Sequence, residues 1–206
     1  MGYHIFHLDN VTLKKQLYFF DANMWIKLLR PRLKLKPREQ KYIDFFQKFF
    51  SSPANPRIAV TSMVLAEVIN RIMREVAMAK YIKENNVPEV QVTKGYYKEV
   101  YRKTNHFKIQ YELLCDDIKA YHTKFELLED SFGKGIKAKH VLSRPSYTLD
   151  FNDSYYVLLA KNHKIPIITD DGDFFVDDVE ILTYNDALYQ RGKDSVQAQS
   201  QKTQGA

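Results

Sequence analysis

The chain has 206 residues, of which 45% are hydrophobic and 27% charged, with a formal net charge of +6 at neutral pH. That length suits one domain with a full core and an insertion. No apolar run approaches the roughly 20 residues needed to span a bilayer, so no membrane partner is expected. A single cysteine, Cys115, excludes an intrachain disulfide framework and a cysteine-built zinc site. Lying among Leu113, Leu114 and Ile118, it is expected to be an inert core residue. No basic segment followed by an apolar one opens the chain, and the expectation is a cytoplasmic protein. The basic excess suits a surface that attracts a polyanion.

Residues 3–16 alternate loosely and read as an edge strand or an arm. Leu17–Phe20 is a short, wholly apolar run of the kind found in strands buried on both faces of a parallel sheet, and it ends on Asp21. Trp25, Ile26, Leu28 and Leu29 then recur at helical spacing until Pro31 stops the pattern, with Asn23 a candidate cap. A basic stretch follows (Arg32, Lys34, Lys36, Arg38, Lys41), broken by Pro37. Tyr42, Phe45, Phe46, Phe49 and Phe50 mark one helix face, expected to be core rather than a base-stacking platform. After a loop at 51–56, residues 57–61 read as a strand, and Ser62 as the cap of a helix burying Leu65, Val68, Ile69 and Ile72. Glu67 falls within that apolar stretch, where a buried carboxylate needs a partner. The alternative is an ordinary acid near a helix N-terminus, favoured by the dipole.

Residues 77–144 are charged and aromatic, and read as two or three helices broken near Asn85 to Pro88 and at Phe132-Gly133-Lys134-Gly135. Phe125 and Leu128 belong to the apolar pattern of those helices. Asp116 and Asp117 lie inside a helical pattern with no strand end nearby and are expected on the surface. Lys134, Lys137, Lys139, His140 and Arg144 form a local basic segment. The next helix carries its acids at the start: Asp150 or Asn152 as cap, Asp153 in the first turn, with Leu158 and Leu159 docking on the sheet.

Residues 165–168 are again apolar throughout, with Pro166 near the strand start because it cannot donate to the ladder. Thr169 ends the run, and Asp170, Asp171 and Asp173 follow around Gly172. Three carboxylates at the carboxyl end of a buried strand stand where open α/β sheets place their ligands. A divalent cation would relieve their mutual repulsion; a solvated Asp-Gly turn is the plainer reading. Residues 179–183 form a last strand, Asn185 begins a short closing helix, and the Gln-, Ser- and Lys-rich tail at 191–206 is expected to be disordered.

Four segments taken in order resemble the PIN-domain nucleases: Phe20-Asp21-Ala22-Asn23, then Thr61-Ser62 through Glu67 to Asn70, then Asp150-Phe151-Asn152-Asp153 with Ala160, and finally Ile168-Thr169-Asp170-Asp171-Gly172-Asp173-Phe174. The resemblance covers most of the chain outside 77–148. It implies a three-layer α/β/α sandwich around a mainly parallel sheet, one domain at 1–190 with helices inserted at about 77–148. It also implies Mg²⁺- or Mn²⁺-dependent hydrolysis of RNA phosphodiesters, with Asp21, Glu67, Asp153 and Asp171 as catalytic metal ligands. Asp173 is a further candidate ligand, and Asn23, Asp150 and Thr169 would orient the set. Such proteins are often the toxin of a toxin–antitoxin pair, which adds an antitoxin protein and a homodimer to the expected partners. Lys27, Arg71, Lys137 and Lys161 are candidates for holding the RNA backbone. Two other readings compete: a catalytically inactive PIN-fold module that binds RNA or protein, and a structure-specific DNA nuclease. Haloacid-dehalogenase-type phosphoryl transfer needs a second acid two residues after the strand-end aspartate, where this chain has Asn23.

Overall fold

The computed structural model describes residues 2–30, 35–128, 138–142 and 148–204. Pro31, Arg32, Lys34, Lys134, Lys137, Arg144 and the break at Phe132 to Gly135 lie outside the described residues. The chain divides into two compact units, Met1–Thr61 with Lys124–Ala206, and Ser62–Thr123.

The first unit is built on six strands: β1 (His4–His7), β2 (Leu17–Phe20), β3 (Arg57–Val60), β4 (Phe125–Leu127), β5 (Ile167–Ile168) and β6 (Glu180–Thr183). They form one sheet in the order β1-β6-β5-β2-β3-β4, and all five pairings are parallel. The helices of this unit are α1 (Ala22–Leu29), α2 (Pro37–Ser51), α7 (Ala138–Val141), α8 (Phe151–His163) and α9 (Asp186–Gln204). Of the second unit's helices, α3 (Ser62–Arg71) runs through a π-helical stretch, Ile72–Ala77, into α4 (Met78–Glu84), and α5 (Tyr96–Glu99) and α6 (Asn105–Lys119) follow.

The layering follows from the alternation of side chains along β2. Tyr18 and Phe20 point to one face and meet α2: Phe20 packs on Phe45, Phe46 and Phe49, and Tyr18 on Phe49. Phe19 points to the other face and packs on Tyr156 of α8, 4.9 Å between ring centres. Tyr18, Phe19 and Phe20 are each at most 1% exposed, which is why the run carries no polar residue. The aromatic stripe of α2 is therefore core at Tyr42, Phe45, Phe46 and Phe49, as its spacing indicates, and each fully buried Phe contributes about 1.5–3 kcal/mol.

The strand order places a topological switch between β2 and β5. From β2 the chain winds outward through β3 to β4; from β5 it winds the other way to β6. The carboxyl ends of those two central strands are Asp21 and Thr169, and a crevice opens there in folds of this kind.

Four expectations are corrected. Phe125–Leu127 is a strand, pairing in parallel with β3, rather than part of a helix. Asn23 does not cap α1; Asp21 occupies that position, and Asn23 bonds carboxylates instead. Cys115 is only half-buried, because the buried side of α6 is Leu114 and Ile118 while Leu113 is 51% exposed. Finally, the closing helix is long: α9 continues through Gln204, across the tail expected to be disordered. Gly192 explains the docking of that helix, since a Cβ there would stand 2.9 Å from the Cβ of Ile5 in β1. The missing side chain lets helix and edge strand meet.

In the second unit, Thr104 caps α6 by accepting the Phe107 N–H at 3.1 Å, and Tyr96 and Tyr101 form its buried aromatic centre. Asp116 is exposed and paired with Lys119 at 3.0 Å, the surface position expected for it.

Candidate active site

Asp21 is fixed by the sheet before its side chain makes any contact. Its N–H donates to the Ile168 carbonyl at 3.1 Å, continuing the β2–β5 ladder, and its own carbonyl accepts from Met24 and Trp25 as α1 begins. The residue is 2% exposed. Burying an ionised carboxylate is costly unless hydrogen bonds replace water, and Asp21 Oδ2 accepts from Thr169 Oγ1 at 3.0 Å and from Asn23 Nδ2 at 3.1 Å.

Those same two partners bind Asp171. Asn23 Nδ2 also donates to Asp171 Oδ2 at 3.4 Å, and Thr169 Oγ1 accepts the Asp171 N–H at 2.9 Å. Asp171 Oδ1 in turn accepts the Asp173 N–H at 2.9 Å, which closes the turn around Gly172. The structure thus brings together Asp21, Asn23, Thr169 and Asp171. Asp173 joins through its backbone, while its side chain is exposed.

Thr169 is itself held from behind. Its carbonyl accepts from the Tyr42 hydroxyl at 3.0 Å, and that hydroxyl accepts the Tyr184 N–H at 3.0 Å. Burial, and then the negative charge of Asp170, pushes the Tyr42 phenol well above its ordinary range, so it remains a neutral donor. Sequence spacing marks Tyr42 as core and gives no sign of this polar role. Asn185 ties the same loop to α9, donating from Nδ2 to the Asp170 carbonyl at 3.0 Å and accepting the Leu188 N–H on Oδ1 at 3.3 Å.

Asp170 differs from its neighbour. Its carboxylate is 11% exposed and compensated by Lys27 Nζ and Arg38 Nε, each 3.1 Å away. Of the three aspartates in this segment, Asp171 is the one whose carboxylate shares a donor, Asn23 Nδ2, with Asp21.

Asp150 caps α8, its Oδ1 accepting the Asp153 N–H at 2.9 Å, with Asp153 half-buried in the first turn. Glu67 lies on α3 in the second unit, half-buried, with Arg71 Nη1 3.9 Å away. Among the described residues no three His, Cys, Asp or Glu side chains are grouped as a metal site. The Asp21–Asp171 pair nevertheless suits a hard cation. Its donors are all oxygen, and Mg²⁺ needs only one or two carboxylates, taking its other ligands from water and substrate phosphate.

The PIN domain family profile matches residues 18–177. The chain belongs to the PIN domain family. PIN domains are generally nucleases and generally depend on a divalent metal ion. Among solved structures, VapBC2 from Rickettsia felis bound to a DNA fragment from their promoter is similar at 12% identity, covering 82% of this chain and 98% of that one, with a TM-score of 0.45. PAE2754 from Pyrobaculum aerophilum is similar at 14% identity over 87% of this chain and 97% of that one, TM-score 0.43. No curated protein sequence matches the chain. No helix among the described residues of this PIN domain is long and apolar enough to cross a membrane.

Proposed function

We propose that this PIN domain is an endoribonuclease that uses Mg²⁺ or Mn²⁺. Asp21 and Asp171 hold the cation, Glu67 and Asp153 complete the acidic set, and Asp173 stands by as an outer ligand. The observation that carries the reading is the shared environment of Asp21 and Asp171: a 2% exposed carboxylate and its neighbour held about one amide at the switch point of a parallel sheet. When bound, the cation activates water and offsets charge on the phosphoryl oxygens and leaving group. The chain's own residues supply position. Thr169 and Asn23 fix Oδ2 of Asp21, Tyr42 fixes Thr169, and Asp150 fixes the turn that carries Asp153. The biological role we assign is that of a toxin neutralised by a small antitoxin protein, acting as a homodimer in the cytoplasm.

Incubating the purified chain with total RNA and mapping the new ends tests the reading. Cleavage is expected with Mg²⁺ or Mn²⁺ and none with EDTA. Expression is expected to arrest growth, and co-expression of the adjacent small gene to relieve it. Cleavage that persists in EDTA contradicts the metal assignment. Cleavage of DNA but not RNA moves the protein to the DNA nucleases, and cleavage of neither makes it a binding module.

A further inference from the structure

Asp170 is held by two cations, and the arrangement is more than charge compensation requires. Lys27 Nζ stands 3.1 Å from Oδ2 and Arg38 Nε stands 3.1 Å from Oδ1. Lys27 is seated a second time, its Nζ 5.7 Å from the centre of the Tyr42 ring. Its side chain is 23% exposed and that of Arg38 is 50% exposed. Two cations on one carboxylate leave a positive charge over, and the half-exposed guanidinium presents it to solvent. All of this lies one residue from Asp171.

We propose that Lys27 and Arg38, fixed in place by Asp170, form a seat for a phosphodiester group of single-stranded RNA beside the Asp21–Asp171 pair. The inference rests on the nuclease reading for its substrate and adds the contact that would position it. Charge supports it: Lys27 and Arg38 set against Asp170 leave one positive charge without any added cation, and one phosphodiester neutralises it. Geometry supports it too. A guanidinium offers five N–H donors in a planar fork suited to phosphate, and Arg38 meets Asp170 Oδ1 as an ion pair at Nε without a hydrogen bond, which leaves Nη1 and Nη2 to donate. A lysine held between a carboxylate and an aromatic ring loses little further freedom on binding.

The test is equilibrium binding of a short fluorescent oligouridylate to the full chain in EDTA, across a series of KCl concentrations. Each phosphate contact on a single strand contributes about 0.7 to the slope of log affinity against log salt. Arg38→Gln and Lys27→Gln are each expected to make that slope shallower by about 0.7, with Lys119→Gln on α6 unchanged. An unchanged slope in either of the first two variants overturns the seat, as does an equal fall in Lys119→Gln. With no cation present nothing is cleaved, so the result stands apart from the hydrolysis assay. RNA that is cleaved with an unaltered slope removes the seat alone. An altered slope on RNA that is never cleaved removes the nuclease reading alone.

Discussion

Asp21 and Asp171 accept from one nitrogen: Nδ2 of Asn23 stands 3.1 Å from the first carboxylate and 3.4 Å from the second. Two like charges that share a donor repel each other, and the cation we propose would sit between them. Outer residues that orient metal ligands are worth roughly 10–100-fold in metal affinity. Asn23→Ala is therefore expected to weaken Mn²⁺ binding by about tenfold, measured by calorimetry, with little loss of folded protein.

Adjacent aspartates are expected to behave differently. Asp171→Asn removes a proposed ligand and is expected to abolish the rise in Tm that Mn²⁺ produces. Asp170→Asn is expected to keep that rise while lowering the metal-free Tm, because Lys27 and Arg38 lose their counter-charge. Both cations keep some solvent, so the loss is about 1–2 kcal/mol, several degrees for a chain of this length. Thermal melts of both variants, with and without Mn²⁺, check the contrast.

Tyrosines set the alkaline limit of stability. Burial first, with nearby Asp9, pushes Tyr184 up to about 12, and burial pushes Tyr101 up to about 12. Tyr42 shifts in the same direction. A raised phenol pKa means the folded chain holds the proton more tightly than the unfolded one. The associated stability is complete below pH 10, the ordinary tyrosine value, and is lost as pH rises toward about 12. Urea midpoints are expected to be level up to pH 10 and to fall beyond it, with a shallower fall in Tyr184→Phe.

The sequence was most readable where burial was most complete. Leu17–Phe20 and residues 165–168 have no polar residue because both sheet faces are covered, and the acids that follow them were readable as strand ends. Short or peripheral elements were less so. Phe125–Leu127 has three residues on an outer strand, with Leu127 67% exposed, and nothing in its pattern separates it from a helix. Long-range pairing was not readable at all: nothing near Asp170 in sequence announces Lys27 and Arg38, and nothing in the α2 stripe announces that Tyr42 supports Thr169. The tail misled because its composition is polar. Its order comes from α9 meeting β1 at Gly192 and from Arg191, which donates to the Gly172 carbonyl at 3.0 Å and lies 4.4 Å over Phe175.

That docking has a direct consequence. A larger residue at 192 must push against Ile5, and overpacking of this kind costs about 1–3 kcal/mol. Gly192→Val is expected to lower Tm by several degrees, a differential melt being sufficient. A tail without structure would tolerate the change unaltered.

We propose that Asp21 serves a metal and not the fold. The most direct test is cleavage of a defined single-stranded RNA in Mg²⁺ by wild type and by Asp21→Asn, with the metal-free Tm of each. The carboxylate pair predicts a rate loss of at least about a hundredfold with a Tm equal to wild type or slightly higher, because repulsion worth about 1 kcal/mol is relieved. Wild-type cleavage by Asp21→Asn, or a metal-free Tm well below wild type, would contradict it.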